Sequence, residues 1–505
     1  MAVAPVEVDC LFGETGPGGP ITGLAGTLIG PDGTFGDVAR LLDDADSRGL
    51  EHADGAFAAF RYDPSTHELR LASDKFGMRP LFIASAGDLV AFCSEFPPLL
   101  LLPDLDKALD HDAIAEYFSL GSTLGARTLF RHIRNLAPGT ILSLRGDNRR
   151  EHRYWVPRIG IDHGDGIERA AEVLATTMVT VVRDLVDHGP GKVCLLSAGA
   201  DSRLILSCLR DDQRQSLRFL TSKISMLRAE DDRDVIGATE LARALGLKHD
   251  VLDIAYADLQ FGPDYFDRER HMRPSELLGG WHGGEILGGC CHDASPIEPG
   301  LARATVDARL SAVFSPEFLI GLNQHPWETY QSRRSSLVAE NQDFLAQIEL
   351  MSRAFFAHVY GGSQGHWLQP FQIIHHGHSP FWDSRFLTAI LKVPFVLVRD
   401  YGLYNVIFRD HLPALRHVPS NSMLTRRADS ALAPMTAGQE PKILQKIRPR
   451  QLDALERMAI SDSIRQRGDY APAALTDFLR DAGNAASLKF VDFEAWRTRY
   501  VDSAS

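Results

Sequence analysis

The stretch LLSAGADSRLILSCL, residues 195 to 209, joins a short apolar run to an apolar helical run through a turn of small residues ending in Asp-Ser. Val193, Leu195 and Leu196 predict a buried strand, and Asp201-Ser202 opens the next helix. Between them, Ser197, Ala198, Gly199 and Ala200 leave space for an anion to approach backbone N–H groups at a helix start. Strand, small-residue turn and helix also describe an ordinary βα unit that binds nothing. The composition of the turn favours a phosphate site: Ser, Gly, Asp and Ser fall within six positions, and the Asp offers a hard oxygen to a divalent cation. No Gly-Lys-Ser/Thr follows, so the turn is not a Walker loop.

Downstream the pattern alternates. Leu217 to Thr221 reads as a second strand, Asp234 to Leu245 as a helix, and Lys248 to Ile254 as a third strand, which predicts a parallel sheet with ligands at the carboxyl ends of its strands. Residues 164 to 187, just upstream, have helical spacing. From about residue 300 the chain reads as mostly helical, with spaced apolar residues over 344 to 359, 385 to 391 and 405 to 412. The polar segment 420 to 442 reads as a long loop. Residues 1 to about 155 read instead as β-rich: AFAAFRYD, ELRLAS, PLFIAS and LVAFCS have strand length and are separated by turn signals.

The chain of 505 residues is long enough for two or more domains, and its apolar content of 44% and charged content of 24% are those of a soluble globular protein. A net charge of −13 argues against general nucleic-acid binding, which needs concentrated Lys and Arg. The six cysteines, at 10, 93, 194, 208, 290 and 291, form no CxxC pair, so neither a disulfide scaffold nor a zinc site is expected. The first residues have no leader-like pattern and no apolar run reaches membrane-spanning length, so no membrane partner and a cytoplasmic location are expected. Self-association is left open.

Several segments, in order, resemble the asparagine synthetase family. In the first part, DGAFAAFRYDPSTHELRLASDKFGMRPLFI (54 to 83), FCSEFPPLL (92 to 100), LAPGT (136 to 140) and RYW (153 to 155) resemble the family's glutaminase half. In the second, LSAGADSR resembles its pyrophosphate loop, SGGxDS, with Ala198 for the first glycine. GGEILGG (283 to 289), PFWD (380 to 383) and LP (412 to 413) follow. The resemblance implies an α/β protein: an N-terminal nucleophile-type αββα sandwich over 1–157, then a nucleotide-binding parallel α/β domain with a helical C-terminal part over 163–485. It implies ATP and Mg²⁺ as cofactors, and activation of a carboxylate as its acyl-adenylate, with pyrophosphate released, before an amine attacks to form an amide.

Carried over residue by residue, the resemblance assigns pyrophosphate and Mg²⁺ to Ser197, Ala198, Gly199, Ala200, Asp201 and Ser202. It assigns adenosine to the strand ends at Leu195–Leu196 and at Thr221 and Ser222, and further nucleotide contacts to Gly283 and Gly284. Asp201 and Glu285 become the metal ligands. Arg203, beside the loop, is a candidate for ligand or ion-pair contact, and His282 for acid–base work, in a place near which a lactam-forming relative uses a Tyr. A structural His reads equally well there, and Trp281 precedes it. Asp383 reads as a helix cap.

Three departures reshape that expectation. Family glutaminases carry a nucleophilic Cys at position 2; here position 2 is Ala, Cys10 is not terminal, and the glutamine-binding segments expected between Gly30 and Gly55 are missing, so loss of glutaminase activity is expected. Gly284 stands where the family carries an Asp. The lysine that follows the family's LP dipeptide aligns with Ser420 and Asn421, leaving Arg426, Arg427 and Lys442 on the long loop as replacements or as solvated charges. The partners expected are a carboxylate substrate, either a small acid or a precursor peptide, and an amine nucleophile. The function that best combines these features is amide-bond formation in specialised metabolism, as in β-lactam synthetases and lasso-peptide macrolactam cyclases. An ammonia-dependent asparagine synthetase and an inactive scaffold are the rivals.

Overall fold

The computed structural model describes residues 10–14, 19–30, 38–43, 48–77, 79–86, 89–94, 97–120, 123–156, 166–188, 193–224, 233–254, 277–280, 283–288, 302–340, 378–398, 401–415, 462–475, 490, 493, 494, 497 and 501. The helix expected over 344 to 359, the loop 420 to 442 with Arg426, Arg427 and Lys442, and Ser420, Asn421, Trp281 and His282 lie outside them.

The first part is a stack of layers that can be read from alternation along its strands. Strands β1 (Cys10–Glu14), β2 (Ile21–Ile29), β3 (Asp54–Asp63), β4 (Glu68–Ser73), β8 (Thr140–Arg145) and β9 (Asn148–Arg153) form one antiparallel sheet in the order β1-β2-β3-β4-β8-β9. Strands β5 (Phe82–Ala86), β6 (Leu89–Cys93) and β7 (Ile133–Asn135) form a second antiparallel sheet in the order β6-β5-β7. Successive side chains on a strand point to opposite faces. Phe57, Ala59, Ala72 and Ile141 therefore share a core with Val38, Leu41 and Leu42 of helix α1 (Val38–Asp43) and Leu50 of α2 (Arg48–Glu51). Their neighbours Ala58, Phe60, Leu71 and Leu142 pack with Ile83 of the second sheet. Phe82, Ala84 and Ala86 face the other way, onto Ala113, Ile114 and Tyr117 of α3 (His111–Leu120). Helix, sheet, sheet, helix is the αββα sandwich expected.

The second part is built on β10 (Val193–Leu195), β11 (Arg218–Ile224), β12 (His249–Ile254) and β13 (Leu277–Leu278), a parallel sheet in the order β12-β11-β10-β13. Helix α4 (Ile167–Asp187) buries Ala171, Leu174, Met178, Val181, Val182 and Leu185, an i, i+3, i+4 stripe. That stripe packs with Cys194 and Phe219 of the sheet, Leu204 and Ile205 of α5 (Ala200–Cys208), and Leu241 of α7 (Arg233–Leu245). A further helix, α6 (Asp211–Ser216), links α5 to β11. The sheet thus has the parallel topology expected from the alternation of strands and helices. Helix α5 begins at Ala200, one residue before Asp201.

Among the described residues the halves meet in two places. Ser384, fully buried at the start of the helix Ser384–Ile390, donates to Asp54 Oδ1 at 2.7 Å and accepts from Gly55 N–H at 3.2 Å, while Lys75 Nζ reaches the same Asp54 oxygen at 2.9 Å. Elsewhere, α3 is enclosed by the later helices: Phe118 lies edge-on to Phe314 (5.0 Å) and Phe493 (5.7 Å). At its centre Glu116, with no exposed surface, accepts from Arg127 Nη1 at 2.6 Å and from Leu124 N–H at 2.8 Å. Arg127 also donates to Gln324 Oε1 at 3.1 Å, and Asn323 N–H donates to Asp112 at 2.8 Å. Among the described residues no helix is long and apolar enough to cross a membrane.

Candidate active site

Strand order locates the site. From β10 the chain proceeds outward through β11 and β12, whereas β13 pairs with the opposite side of β10. The direction of winding therefore reverses at β10, and in open parallel sheets the crevice outside the strand carboxyl ends at such a reversal is the ligand position. The turn Ser197 to Ala200 leaves β10 at that point. Beside it, β13 ends in Gly279-Gly280 and leads to the short helix Gly283–Ile286, which carries Gly284 and Glu285. A strand as short as Leu277–Leu278 leaves no alternation to read in the sequence.

Within the turn, side chains hold the backbone donors. Ser202 Oγ accepts from Ser197 N–H (3.1 Å) and donates to Ser197 C=O (3.1 Å), which leaves the Ser197 hydroxyl to donate to Ser202 Oγ (3.0 Å) and to accept from Gly199 N–H (3.1 Å). Ala198 N–H donates to Asp234 Oδ1 at 3.3 Å. A carboxylate oxygen of the chain itself thus meets the turn where an external anion would. Gly199 is the N-cap of α5, with extended backbone; its own N–H is taken by the Ser197 hydroxyl, and the N–H groups of the first helical turn follow it at the strand ends. Ala198 is not among the described residues of positive φ, so its side chain costs no backbone strain. Its methyl group instead takes space from α7: a Cβ at Gly237 would lie 2.5 Å from Ala198 Cβ. The Ala at 198 is therefore matched by a Gly at 237.

Asp201 sits at the junction of three segments. A Cβ at Gly280 would lie 2.8 Å from Asp201 Cβ, and one at Gly283 would lie 2.6 Å from Asp201 Oδ1, so the carboxylate is walled by backbone that only glycine allows so near. Tyr404 Oη donates a hydrogen bond to Asp201 Oδ1. Its ring is fully buried and stacked on Phe408, with centroids 6.1 Å apart. Tyr401, at φ 60°, donates its N–H to Gly288 C=O at 3.1 Å, and a Cβ at Gly288 would strike the Tyr401 ring at 2.7 Å. Left-handed backbone is costly for a tyrosine and is held here by the surrounding contacts. The segment 401–404 thereby ties the Glu285-bearing turn to Asp201. A carboxylate in a crevice beside backbone donors fits a hard divalent cation held together with phosphate oxygens.

The strand-end residues behave differently. Leu196 N–H donates to Leu220 C=O at 2.8 Å. Leu196 C=O accepts from the buried Thr221 hydroxyl at 2.7 Å. Because that hydroxyl's one hydrogen is used, His249 Nε2, 2.8 Å away, must be the donor to Thr221 Oγ1, which fixes the neutral imidazole with its hydrogen on Nε2. Burial lowers the His249 pKa, in keeping with a neutral ring. Thr221 therefore braces the stem of the loop, and Ser222 continues β11. Arg203 is buried and faces the C-terminal helices, with Nη1 3.5 Å from Leu415 C=O and burial drawing its pKa down to about 10. Asp383 caps the helix Ser384–Ile390, accepting from Arg385 N–H at 2.9 Å and pairing with Arg385 Nη2 at 2.9 Å.

Sequence reasoning missed Asp234, Gly237, His249 and Tyr404. Asp234 reads as an ordinary acidic residue in a first helical turn, and Tyr404 as one more apolar residue in LYNVIF; only proximity distinguishes them.

Comparison with known proteins places the chain in a class. Residues 38–155 match the glutamine amidotransferase domain, a range that covers the sandwich described above except β1 and β2. More particularly, parts of the chain are similar to asparagine synthetases. It is 30% identical over 266 residues to a Mycobacterium tuberculosis protein named as a putative glutamine-hydrolysing asparagine synthetase, a match covering 48% of this chain and 40% of that protein. Over 199 residues it is 24% identical to glutamine-hydrolysing asparagine synthetase 1 of Bacillus subtilis, covering 39% and 30%. The chain thus matches less than half the length of each of these relatives. Among solved structures, the NH3-dependent NAD synthetase of Campylobacter jejuni aligns with 12% identity and a TM-score of 0.19, over 38% of this chain and 97% of that one.

Proposed function

We propose that this protein is an ATP-dependent amide synthetase that adenylates a carboxylate, releases pyrophosphate and passes the acyl group to an amine, without hydrolysing glutamine. The observation that carries the reading is the position of Asp201: first turn of α5, at the reversal point of the parallel sheet, pressed against the glycines that lead to Glu285. In this reading, residues 1–157 are a glutaminase-like domain serving as structural partner, and residues 163–485 form the adenylating domain.

The residues have distinct tasks. The N–H groups of Ala198, Gly199 and the first turn of α5 receive the β- and γ-phosphate oxygens, with Asp234 giving up Ala198 N–H and the Ser197 hydroxyl giving up Gly199 N–H as they arrive. Asp201 and Glu285 are the residues that would hold Mg²⁺, which when bound neutralises pyrophosphate charge as the α-phosphorus is attacked. Ser197 and Ser202 keep the turn in shape, and the Thr221 bridge to Leu196 keeps the ends of β10 and β11 together beside the adenosine. Orientation of the acyl-adenylate against the amine supplies most of the remaining rate. His282 is proposed as the acid–base group on the turn and Arg203 as a buried support. The substrate is proposed to be a small acid or a precursor peptide, its amine internal or from a second molecule, with a product of the lactam or macrolactam type made in the cytoplasm.

The test is product analysis of the full chain with Mg-ATP and a panel of carboxylates and amines. Carboxylate-dependent AMP and pyrophosphate, with an acceptor product lighter than its parts by one water, supports the reading. ADP and phosphate would overturn it. Asparagine from aspartate and ammonium would convert it to the simpler synthetase, glutamate released from glutamine would restore the lost half-reaction, and absence of Mg-ATP binding would leave a scaffold.

A further inference from the structure

We infer that Tyr404 is a positioning residue for the metal-binding carboxylate: its hydroxyl engages Oδ1 of Asp201 and so presents the carboxylate to the cation in a single orientation. The inference rests on the adenylation reading above and adds to it a residue that no motif marks.

Three observations support it. Tyr404 Oη donates to Asp201 Oδ1, and the Gly283 backbone packs so near the same oxygen that a Cβ there would lie 2.6 Å from it, so Oδ1 is hydrogen-bonded by the tyrosine and crowded by Gly283. The tyrosine cannot easily swing away, because its ring is fully buried and stacked on Phe408. Its segment is fastened independently to the Glu285-bearing turn through Tyr401 N–H to Gly288 C=O and the contact of the Tyr401 ring with Gly288. One tyrosine pair therefore couples both candidate ligand-bearing elements. A carboxylate already oriented by a hydrogen bond binds a cation without paying the rotamer entropy of a free side chain. A phenylalanine fits the same space, so the hydroxyl is needed for the Asp201 contact and not for filling the core.

The experiment uses the full chain and Mn²⁺ as the probe, with Mn²⁺ binding read as the gain in calorimetric ATP affinity that Mn²⁺ produces, with no acyl substrate. Tyr404→Phe is expected to weaken Mn²⁺ binding about 10-fold or more, the range seen when partners of metal ligands are removed. Unfolding temperature and metal-free ATP affinity should stay near the wild-type values. Phe408→Leu, which loosens the ring stack but keeps the hydroxyl, is the control: it should lower the unfolding temperature and change Mn²⁺ affinity less than Tyr404→Phe does. Equal Mn²⁺ affinity in wild type and Tyr404→Phe, or a larger loss in Phe408→Leu, overturns the inference while the adenylation reading stands. If the wild-type protein binds no Mn²⁺ with ATP, both fall together.

Discussion

Two carboxylates, Asp201 and Glu116, each stand where distant parts of the chain meet, and they are surrounded in opposite ways. Glu116 has no exposed surface, a cation at 2.6 Å and a backbone donor at 2.8 Å, so its oxygens are fully engaged by the protein. Asp201 is partly exposed, accepts from a tyrosine hydroxyl at Oδ1, and is walled by the backbone of Gly280 and Gly283. Enclosure of the first kind serves the fold; the second, partly exposed at the reversal point of the parallel sheet, is the one the adenylation proposal assigns to a ligand. The same side-chain chemistry is thus assigned to structure or to function by how completely the fold encloses it.

The largest stability effect should come from the enclosed carboxylate. Glu116→Ala strands the Arg127 guanidinium and the Leu124 N–H in the interior, and a loss of about 3–5 kcal/mol is expected from urea unfolding. The folded fraction should still bind Mg-ATP with wild-type affinity. If Glu116→Ala leaves stability unchanged but abolishes nucleotide binding, the division between the two carboxylates is wrong.

The next effect is on pH dependence. Burial pushes the Glu116 pKa up to about 7, against the opposing pull of Arg127. Between the unfolded value near 4.5 and the folded value the native state holds a proton that the unfolded chain has released. Stability from this group is therefore fully present below the unfolded value and declines as pH rises through the folded one, by up to about 3 kcal/mol. Denaturant midpoints of wild type and Glu116→Gln across pH 4 to 8 test the sign; the variant should show a shallower decline.

A smaller effect probes the wall of the Ser197 to Ala200 turn. Gly237→Ala brings a methyl group within 2.5 Å of Ala198 Cβ, and a cost of roughly 1–3 kcal/mol is expected with weakened ATP binding. Adding Ala198→Gly should recover most of both. Purely additive effects of the two changes would contradict the proposed steric match.

What could be read without coordinates divides along physical lines. Long periodic elements were legible: the stripe of α4, the alternation in β3 and β4, and the strand and helix after the phosphate turn all follow from period. The turn itself was legible because a run of small residues, Ser197 to Ala200, interrupts two apolar runs. What escaped depends on contacts between segments hundreds of residues apart, as Tyr404 with Asp201 or Ser384 with Asp54, or on strands too short to alternate, as β13. The bridge made by Thr221 cannot be inferred from composition either: the residue reads as a strand-end ligand, and only the coordinates reveal its hydroxyl joined to Leu196 and His249.

The most direct test of the central claim is calorimetric binding of ATP to the wild-type chain and to Asp201→Asn, each with and without Mg²⁺. Wild-type affinity should rise at least about 10-fold with Mg²⁺, as expected where a carboxylate and phosphate oxygens share a cation. Asp201→Asn should lose that dependence while keeping the wild-type unfolding temperature. Equal Mg²⁺ dependence in the two proteins would contradict the assignment of Asp201 and, with it, the reading of the Ser197 to Ser202 turn as a pyrophosphate site.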